Sequence, residues 1–390
     1  MKRWPTKLLG ELCDVEGGNA APQGGEHFRG GTIPFVRMKD LGRYHFTNNL
    51  TQTDDQLTEA SATANRMKVF EPGCILFPRS GSVALNHRAI LRVRACVVSH
   101  IGVLQNFRPE ITAGFLYLYL TAFDMTALSK KTTGVDSIAF ADVKRISVPV
   151  PPLAEQERIV KLLDETDELR KLRARADRRT ATLIPALFHE MFGGPINNPK
   201  GWEVCSFGEV GKLDRGRSKN RPRDEPSLYG GEYPFIQTGD VANSNGEITA
   251  YTQTYSEKGL AQSRMWPAGT LVITIAANIG KTAILTFPAC FPDSMVGFIP
   301  NDKVIVDYVR PWLVTMESRL QEAAPQMAQK NINLRILGDL MIPVPPLPLQ
   351  KEFAERAAKI RKLEAGQATS RTRLDALFQS MLHRAFNARF

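Results

Sequence analysis

The chain has 390 residues, of which 43% are hydrophobic and 23% are charged. This composition is typical of a folded globular protein, and it excludes a disordered or membrane-embedded chain. The 50 Lys and Arg residues exceed the 40 Asp and Glu residues, which favours a polyanionic partner such as nucleic acid. The length predicts two or three domains, because domains usually contain about 100 to 200 residues.

Five cysteines are scattered along the chain without any CxxC pair. This spacing excludes the usual zinc knuckles and is typical of reduced thiols inside a cell. The N-terminal segment lacks an apolar signal core, and no apolar run approaches the roughly 18 residues of a membrane span. We therefore expect a cytoplasmic protein with no metal site and no membrane contact.

The second half of the chain repeats the landmarks of the first half in the same order. The repeated residues, first copy before second, are Trp4 and Trp202, Gly10 and Gly208, Glu11 and Glu209, Gly18 and Gly216, Pro34 and Pro234, and Asp40 and Asp240. The segment 148–153 also returns almost unchanged at 342–347. A repeat of this length is a duplicated domain, which predicts two copies of one binding task.

Each copy begins with a long segment rich in Gly, Pro and short β-branched runs. In the first copy, we expect strands at 74–77 and 89–93 and a helix at 115–128. In the second copy, we expect strands at 270–273 and 282–285 and a helix at 309–323. The predicted fold class is therefore mixed α/β, with two globular α/β domains in tandem repeat.

Each copy then ends in a long helix that follows two prolines, at about 153–192 and 347–385. Apolar residues recur about every seven positions in both helices, which predicts a coiled-coil seam. The predicted seam residues are Ile159, Leu162, Leu169, Ala176, Leu183, Phe353, Ile360, Leu363, Leu374, Leu377 and Met381. We expect the two helices to pack as an antiparallel coiled coil, which would make the molecule pseudo-twofold symmetric.

These expectations divide the chain into four parts. They are a first globular domain at 1–152, a central long helix at 153–197, a second globular domain at 198–346 and a C-terminal long helix at 347–390. Two heads held apart by a helical rod suit two DNA half-sites that lie somewhat more than one helical turn apart.

A basic segment in the second copy is the clearest candidate for DNA contact. Every second residue of the segment 215–223 is basic, namely Arg215, Arg217, Lys219, Arg221 and Arg223. In an extended chain this alternation places the cations on one side, where they could follow a phosphate backbone. The alternative is a disordered basic surface loop. The first copy lacks this segment, and its cations lie later, with Arg37 and Lys39 among them.

Two further pairs of turns carry polar or basic side chains that could reach phosphates or base edges. The turn 79–83 corresponds to 274–281 in the second copy, and the turn 130–134 corresponds to 329–331. The candidate side chains are Arg79, Ser80, Lys131, Asn278, Lys281 and Lys330. An ordinary turn without a binding role is the alternative at each place.

No catalytic motif stands out in the sequence. Gly280-Lys281-Thr282 resembles the end of a phosphate-binding P-loop, but Ile275 stands where that loop requires its first glycine. The six histidines form no zinc-hydrolase pattern, and neither a Gly-x-Ser-x-Gly elbow nor a Gly-x-Gly-x-x-Gly fingerprint is present. The Asn-Pro-Pro-aromatic motif of amino-methyltransferases is also missing. We therefore expect a chain that catalyses no reaction itself.

Taken in this order, twice, and before two long helices, the landmarks resemble those of the specificity subunits of type I restriction-modification systems. The resemblance covers nearly the whole chain. It rests on Pro-Pro-Leu-Ala-Glu-Gln at 151–156, Ile-Pro-Phe-Val-Arg at 33–37, Asn-Pro-Lys-Gly-Trp at 198–202, Arg-Ser-Gly-Ser-Val at 79–83 and Gln-Lys-Asn-Ile at 329–332.

The resemblance implies a division of labour. In such subunits each globular domain is a target-recognition domain that reads one half of a split, asymmetric sequence in double-stranded DNA, and the helices dock two modification subunits. Those methyltransferase subunits carry S-adenosylmethionine, and restriction (translocase) subunits use ATP and magnesium, so this chain itself would bind no cofactor. By resemblance, the DNA contacts are Arg37, Lys39, Arg79, Ser80, Asn278, Lys281 and Lys330.

The two copies also differ. Leu349 stands where the first copy has Glu155, so we expect the partner surfaces at the two helix starts to differ. The loops 18–33 and 216–233 share little, which predicts two different half-sites. Two other functions stay open: a stand-alone two-headed DNA-binding protein, such as a repressor or an architectural factor, and an enzyme with its own nuclease or methyltransferase site.

Overall fold

The structure is a computed structural model that describes residues 4–45, 49–132, 135–194, 197–220, 222–276, 278–323 and 332–386. The chain forms two compact units. Unit 1 consists of Met1–Ala174 with Ser370–Phe390, and unit 2 consists of Arg175–Thr369. The domain boundaries expected at positions 152, 197 and 346 stay a prediction.

Unit 1 is built mainly from short strands. They are β1 (Thr6–Leu8), β2 (Asp14–Gly17), β3 (Ile33–Val36), β4 (Asn49–Leu50), β5 (Asp55–Leu57), β6 (Val69–Phe70), β7 (Ile75–Pro78), β8 (Ala89–Leu91), β9 (Ala95–Val97), β10 (Ile101–Gln105), β11 (Lys130–Thr132), β12 (Val135–Ser137) and β13 (Ser147–Pro149). Its helices are α1 (Leu9–Leu12), α2 (Met38–Tyr44), α3 (Glu59–Ala64), α4 (Ala113–Ala122), α5 (Phe140–Lys144) and the first part of α6 (Leu153–Thr180).

Unit 2 repeats this alternation of short elements. Its strands are β14 (Glu203–Ser206), β15 (Gly211–Arg215), β16 (Tyr229–Phe235), β17 (Glu247–Ile248), β18 (Gln253–Tyr255), β19 (Met265–Trp266), β20 (Leu271–Thr274), β21 (Thr282–Leu285), β22 (Ala289–Cys290), β23 (Met295–Pro300) and β24 (Met341–Val344). Its helices are α7 (Leu183–Phe192), α8 (Thr238–Asn243), α9 (Glu257–Ala261), α10 (Val306–Thr315), α11 (Glu317–Ala323), α12 (Leu334–Gly338) and most of α13 (Leu347–Phe386).

The sheets of the two units have the same strand orders. A five-stranded sheet runs β2-β10-β7-β8-β4 in unit 1 and β15-β23-β20-β21-β17 in unit 2. A four-stranded sheet runs β5-β3-β9-β6 in unit 1 and β18-β16-β22-β19 in unit 2. The same pairs are parallel in both units, β4 with β8 and β3 with β9 in the first, β17 with β21 and β16 with β22 in the second. The predicted mixed α/β tandem repeat is therefore confirmed.

The observed elements differ from the expected ones mainly at their ends. The strands expected at 74–77 and 270–273 lie one residue later, at β7 and β20, and β21 has the expected bounds. The helix expected at 115–128 is α4 followed by a separate 3₁₀ turn at Met125–Leu128, because Phe123 is extended between them. The helix expected at 309–323 is likewise divided, into α10 and α11.

The central helix bends where the sequence suggested continuous helix. The helix α6 ends at Thr180 and α7 begins at Leu183. Pro185 lies in the first turn of α7, and a proline has no N–H to donate to the preceding turn. The hydrogen-bond ladder is therefore interrupted at this point, and the chain changes direction between two helices.

Within unit 1, the first part of α6 packs against the last part of α13. The Arg170 Nε donates to Asp375 Oδ1 at 2.7 Å, and the Thr166 hydroxyl oxygen lies 3.5 Å from the sulfur of Met381. Earlier residues of α6 thus contact later residues of α13, which makes the pair antiparallel. Ile159 and Phe378 are buried in the same hydrophobic core, beneath α4.

Within unit 2, α7 and the end of α6 pack against the first part of α13 in the same sense. The Gln367 Nε2 donates to the Thr180 hydroxyl at 3.0 Å, and the rings of Phe188 and Phe353 lie 5.6 Å apart. Tyr308 of α10 stacks on Phe188 with 5.6 Å between the ring centroids. These aromatic contacts place the helices on the core beside the five-stranded sheet.

The predicted seam is wrong at four of its leucines. They are Leu169, Leu183, Leu363 and Leu377, with exposed fractions of 52%, 42%, 51% and 47%. Ile159 and Phe353 are buried, but the neighbouring buried positions include Thr166 and Thr180.

These threonines tolerate burial because their hydroxyls donate to the carbonyls of Leu162 and Ala176, at 2.9 and 3.0 Å. The buried side of the helix therefore includes threonines, whereas the recurring leucines lie beside it and are half exposed.

Candidate nucleic-acid interface

Two of the predicted turns meet at one edge of unit 1. The turn after β7 begins at Arg79, whose N–H donates to the carbonyl of His100 at 2.8 Å. The carbonyl of Arg79 accepts from the N–H of Ile138, and the N–H of Gly81 donates to the carbonyl of Asp136, at 2.8 and 3.0 Å. The turn 79–83 therefore lies against the hairpin of β11 and β12, which joins two regions that are separated by about 50 residues in the sequence.

Unit 2 builds the same frame from its own backbone. The N–H of Ile275, just after β20, donates to the carbonyl of Ser294 at 3.0 Å. The carbonyl of Ile275 accepts from the N–H of Ile332 at 2.9 Å. These two bonds match those of Arg79, so Arg79 and Ile275 occupy equivalent positions in the two units. The glycines in the two turns, Gly81 and Gly280, both have positive φ, 83° and 84°, which only glycine adopts readily.

An arginine reaches this edge in both units, but from a different strand in each. In unit 1, Arg79 provides it, and its guanidinium lies 4.5 Å from the ring centroid of Phe140. In unit 2, Arg215 at the end of β15 provides it, and its Nη2 lies 3.5 Å from the carbonyl oxygen of Ile332. The strand registers match Arg215 with Gly17 of unit 1, whose missing side chain leaves room for the ring of Phe140, on which Arg79 packs.

The surroundings of Arg79 add polar groups that sequence reasoning missed. The Ser80 hydroxyl lies 2.7 Å from Nδ1 of His100, a hydrogen bond whose direction depends on the histidine tautomer. Phe140 holds the Arg79 guanidinium by a cation–π contact, which fixes its orientation without neutralising its charge. His100 and Phe140 carry no motif in the sequence, because each reaches the site only through the folding of the sheet.

In each unit, one glycine precedes the loop that differs between the two copies of the repeat. A Cβ on Gly18 would lie 1.9 Å from the carbonyl oxygen of Val97, and a Cβ on Gly216 would lie 2.3 Å from that of Pro292. No other residue fits such an approach, because real Cβ contacts are never that short. Both units therefore have the same close backbone approach at this glycine, and the sequences of the loops 18–33 and 216–233 differ beyond it.

The part of the basic segment from Arg217 to Asn220 makes hydrogen bonds with the neighbouring loop of unit 2. The backbone N–H groups of Lys219 and Asn220 donate to Oε1 of Gln262, at 2.6 and 3.1 Å. The Ser263 hydroxyl donates to the carbonyl of Arg217 at 2.8 Å. Arg217 and Lys219 are exposed and the intervening Ser218 is buried, as an extended chain with alternating sides requires.

Several predicted contact residues have carboxylate partners in their own unit. Arg37 pairs with Asp55 and packs on the rings of Phe28 and Phe35, each 5.1 Å from its guanidinium. Lys39 and Arg43 both pair with Asp54, at 3.2 and 2.7 Å.

The Arg43 hydrogen bonds, followed by the Lys39 bond, lower the pKa of Asp54 from 3.8 to about 2. In unit 2, Arg223 pairs with Asp293 at 2.9 Å and Lys281 pairs with Glu317 at 2.7 Å. These cations are therefore engaged within the fold, whereas Arg217 and Lys219 have no carboxylate within ion-pair distance among the described residues.

The remaining predicted residues are placed as follows. Asn278 is exposed in the turn after β20, and its carbonyl accepts from the Thr274 hydroxyl. Lys131 lies in β11, where its backbone pairs with Asp136. Arg221 and Lys330 lie outside the described residues. The DNA-contact assignments of all these side chains stay predictions.

The described parts of the chain show neither a candidate metal site nor a candidate membrane-spanning helix. No group of three or more His, Cys, Asp or Glu residues there is arranged to hold a metal ion. None of the helices there has both the length and the apolar composition that crossing a membrane requires.

Comparison with known proteins gives consistent matches. The sequence model of the family described as "Type I restriction modification DNA specificity domain" matches residues 1–176 and 199–368. The type I restriction enzyme MjaIX specificity subunit of Methanocaldococcus jannaschii is 24% identical over 259 residues, which cover 60% of this chain. The match spans 57% of the length of that relative.

Solved structures show the same fold. A chain from a structural study of complex assembly and conformational transition of the type I R-M system has a TM-score of 0.64 and 21% identity, with 100% of this chain and 99% of that chain covered. The type I restriction-modification S subunit from M. genitalium has a TM-score of 0.59 and 16% identity, with 98% and 96% covered.

Proposed function

Because the chain belongs to the family of type I restriction-modification DNA specificity domains, we propose that it is a non-catalytic specificity subunit of such a system. Each unit reads one half of a split, asymmetric target in double-stranded DNA. The chain recruits two methyltransferase subunits and, through the assembled complex, restriction subunits. S-adenosylmethionine, ATP and magnesium are bound by those partners, and this chain binds no cofactor.

The observation that carries the proposal is the combination of one frame with two different sets of side chains. Both units share strand orders and the backbone bonds around Arg79 and Ile275. At that shared edge, unit 1 offers Arg79 with Ser80 and His100, and unit 2 offers Arg215 beside the basic segment. Arginine is the side chain most often used for bidentate reading of guanine, and exposed cations hold the phosphates. Two unlike readers on one scaffold fit an asymmetric target.

Half-buried placement of the two arginines suits base reading. Arg79 is anchored by Phe140, and Arg215 is anchored by the carbonyl of Ile332, so less side-chain entropy is lost when DNA binds. By contrast, Arg217 and Lys219 are exposed, which suits phosphate contact. We therefore assign base reading to Arg79 and Arg215 and backbone contact to the segment that follows Arg215.

Mapping of methylated adenines tests this function. The chain is expressed with its own methyltransferase subunit in a host without methylation, and the modified positions are read by sequencing. We expect one split motif with two unlike halves. A palindromic or undivided motif contradicts the proposal of two different readers.

Two further measurements address the alternatives. Purification of the tagged chain should recover the methyltransferase subunit, and recovery of the chain alone from cells that express both would favour a stand-alone DNA-binding protein. Incubation of the purified chain with DNA, magnesium and S-adenosylmethionine should give neither cleavage nor methylation. Turnover in that reaction would mean that the chain contains its own catalytic site.

A further inference from the structure

The first turns of α6 and α13 are fixed in the same register by two buried glutamines. In unit 1, Gln156 accepts from the N–H of Thr112 at 2.9 Å and donates to the carbonyls of Glu110 and Pro151, at 2.7 and 2.9 Å.

In unit 2, Gln350 accepts from the N–H of Ile305 at 3.0 Å and donates to the carbonyls of Lys303 and Pro345, at 3.0 and 2.7 Å. Both side chains have an exposed fraction of 0%. Each residue of α6 after Gln156 therefore has a defined counterpart 194 positions later in α13.

The solvent-exposed sides of these two helices carry opposite charges at equivalent positions. We call them face 1, residues 157–172 of unit 1, and face 2, residues 351–366 of unit 2. The equivalent exposed charged residues, face 1 before face 2, are Glu157 and Lys351, Arg158 and Glu352, Lys161 and Glu355, Glu165 and Lys359, and Glu168 and Lys362. These pairs give face 1 an excess of one carboxylate and face 2 an excess of one cation. Asp164 adds a further carboxylate to face 1, where face 2 has Ala358.

Face 1 also contains an apolar groove. Gly114 at the start of α4 leaves space beside Val160, since a Cβ at Gly114 would lie 3.4 Å from that side chain. Leu169 and Leu172 line the same groove, and each is 52% exposed. Four carboxylates, from Glu157, Asp164, Glu165 and Glu168, line it together with one cation, Lys161.

The residues that line the groove of face 1 are replaced at the equivalent positions of face 2. The backbone bonds that match Thr112 with Ile305 place Asp307 where unit 1 has Gly114, and Asp307 pairs with Arg361 at 2.9 Å. Gly366 stands where face 1 has Leu172, and Leu363 is the counterpart of Leu169. Face 2 is therefore less apolar at these positions and carries more basic residues than face 1.

We propose that face 1 and face 2 are unequal docking sites for two copies of the same methyltransferase subunit, with face 1 binding first and more tightly. The inference rests on the proposed function, because it needs a partner that occurs twice. One protein surface cannot complement a carboxylate-rimmed apolar groove and a lysine-bearing face equally well. A partner surface with apolar side chains and basic residues fits face 1, and the lysines of face 2 repel it.

The consequence is an ordered assembly that responds to salt. At low ionic strength we expect at least a tenfold difference in Kd between the two sites, so that a complex with one methyltransferase subunit accumulates first. Exposed charges are screened within about 8 Å at 0.15 M salt, and the distance shortens as salt is added. The second binding step should therefore become easier relative to the first as the salt concentration rises.

A net-neutral exchange of charges tests the inference. The exchanged variant combines Glu157→Lys, Glu165→Lys and Glu168→Lys with Lys351→Glu, Lys359→Glu and Lys362→Glu, so the total charge of the chain is unchanged. The full-length chain is titrated with its own methyltransferase subunit, and native mass spectrometry counts the bound copies. A photo-cross-linking residue at Ala154 or at Pro348, both exposed and equivalent, reports which face is occupied at half saturation.

For the native chain, we expect cross-linking from position 154 before position 348, and the exchanged variant should reduce this preference at least fivefold or reverse it. Equal filling of both faces in the native chain would overturn the inference, as would an unchanged preference in the variant. Failure of the subunit to bind at either face would instead contradict the proposed function. The control, Glu71→Arg with Arg94→Glu, exchanges an exposed ion pair far from both faces in sequence and should leave the order of binding unchanged.

Discussion

Unit 1 and unit 2 share the backbone hydrogen bonds of one edge but present different side chains there. At the shared edge the same pair of backbone hydrogen bonds surrounds Arg79 in one unit and Ile275 in the other. In unit 2 an arginine at this edge comes from the neighbouring strand, at Arg215, where unit 1 has Gly17. A duplicated scaffold can thus keep its strand registers while exchanging the side chains that face a partner. The comparison teaches that equivalence of position in such a repeat must be judged by backbone partners.

The same contrast holds along the long helices. Gln156 and Gln350 make the same three hydrogen bonds in their own units, yet the exposed residues that follow them carry opposite charges. Buried positions are constrained by packing and by polar satisfaction, and exposed positions are not. The buried glutamine is therefore kept in both helices, while the exposed residues that follow it differ in charge.

Truncation of the buried helix residues should produce the largest effects. Phe353→Ala should lower the free energy of unfolding by about 3–5 kcal/mol and Ile159→Ala by about 2–5 kcal/mol, because both side chains are fully buried. Leu363→Ala and Leu169→Ala are the matched controls and should change it by less than about 0.5 kcal/mol, since both are half exposed. Urea unfolding followed by circular dichroism measures all four. Equal losses of unfolding free energy at all four positions would show that the leucines of the heptad pattern do lie in the contact between the helices.

Loss of the buried glutamines should come next. Gln156→Ala leaves one N–H and two carbonyls without their partner in unit 1, and Gln350→Ala does the same in unit 2. We expect each to cost about 1–3 kcal/mol of unfolding free energy. The Gln→Glu variants place an ionisable carboxyl group against the same two carbonyls, so at pH 7 they should be at least as destabilising as the Ala variants. A large loss at only one of the two positions would show that the two helix starts are not equally constrained.

Removal of the two arginines should separate the half-sites. Arg79→Ala and Arg215→Ala should each weaken DNA binding by about 1–3 kcal/mol and relax selectivity in one half of the target, a different half for each. Fluorescence anisotropy at fixed salt, with duplexes altered in one half at a time, measures this. Arg94→Ala, at an exposed arginine that pairs with Glu71, should leave affinity nearly unchanged. Loss of selectivity in the same half for both arginine variants would contradict the assignment of one reader to each unit.

The smallest effect concerns exposed ion pairs. Asp54 in unit 1 has a pKa of about 2, lowered mainly by Arg43, and Glu225 in unit 2 also has a pKa of about 2, lowered mainly by the hydrogen bond from Lys258. Because each carboxyl group ionises more readily in the folded chain, its pair adds stability above the ordinary pKa. That stability is lost as the pH falls from about 4 through 2.

Carboxyl NMR titration of the folded chain should give both pKa values. Arg43→Ala should raise the pKa of Asp54 without changing that of Glu225, and Lys258→Ala should do the converse. Since both carboxylates are partly exposed to solvent, the shifts should shrink in high salt. An Asp54 pKa that is the same with and without Arg43 would show that the pair does not persist in solution.

The predictions from sequence were good for elements and poor for side-chain partners. Short strands and long helices follow from local composition, and the repeat of landmarks such as Trp4 and Trp202 identified the tandem fold. Element ends shifted by one or two residues, as at β7 and β20. Arg37 and Lys39 were expected to be available for DNA, but Asp55 and Asp54 come to them from a different strand and the loop before it.

The sequence by itself determined the duplication, the mixed α/β class, the proline-led helices and the family, because these depend on local order and on residue periodicity. Only the tertiary structure decided which cations remain without a carboxylate partner, which helix stripe is buried, and that Arg79 and Arg215 reach equivalent edges from different strands. Each of these depends on strand pairing across tens of residues, and a one-position change of helix face or strand register reverses it.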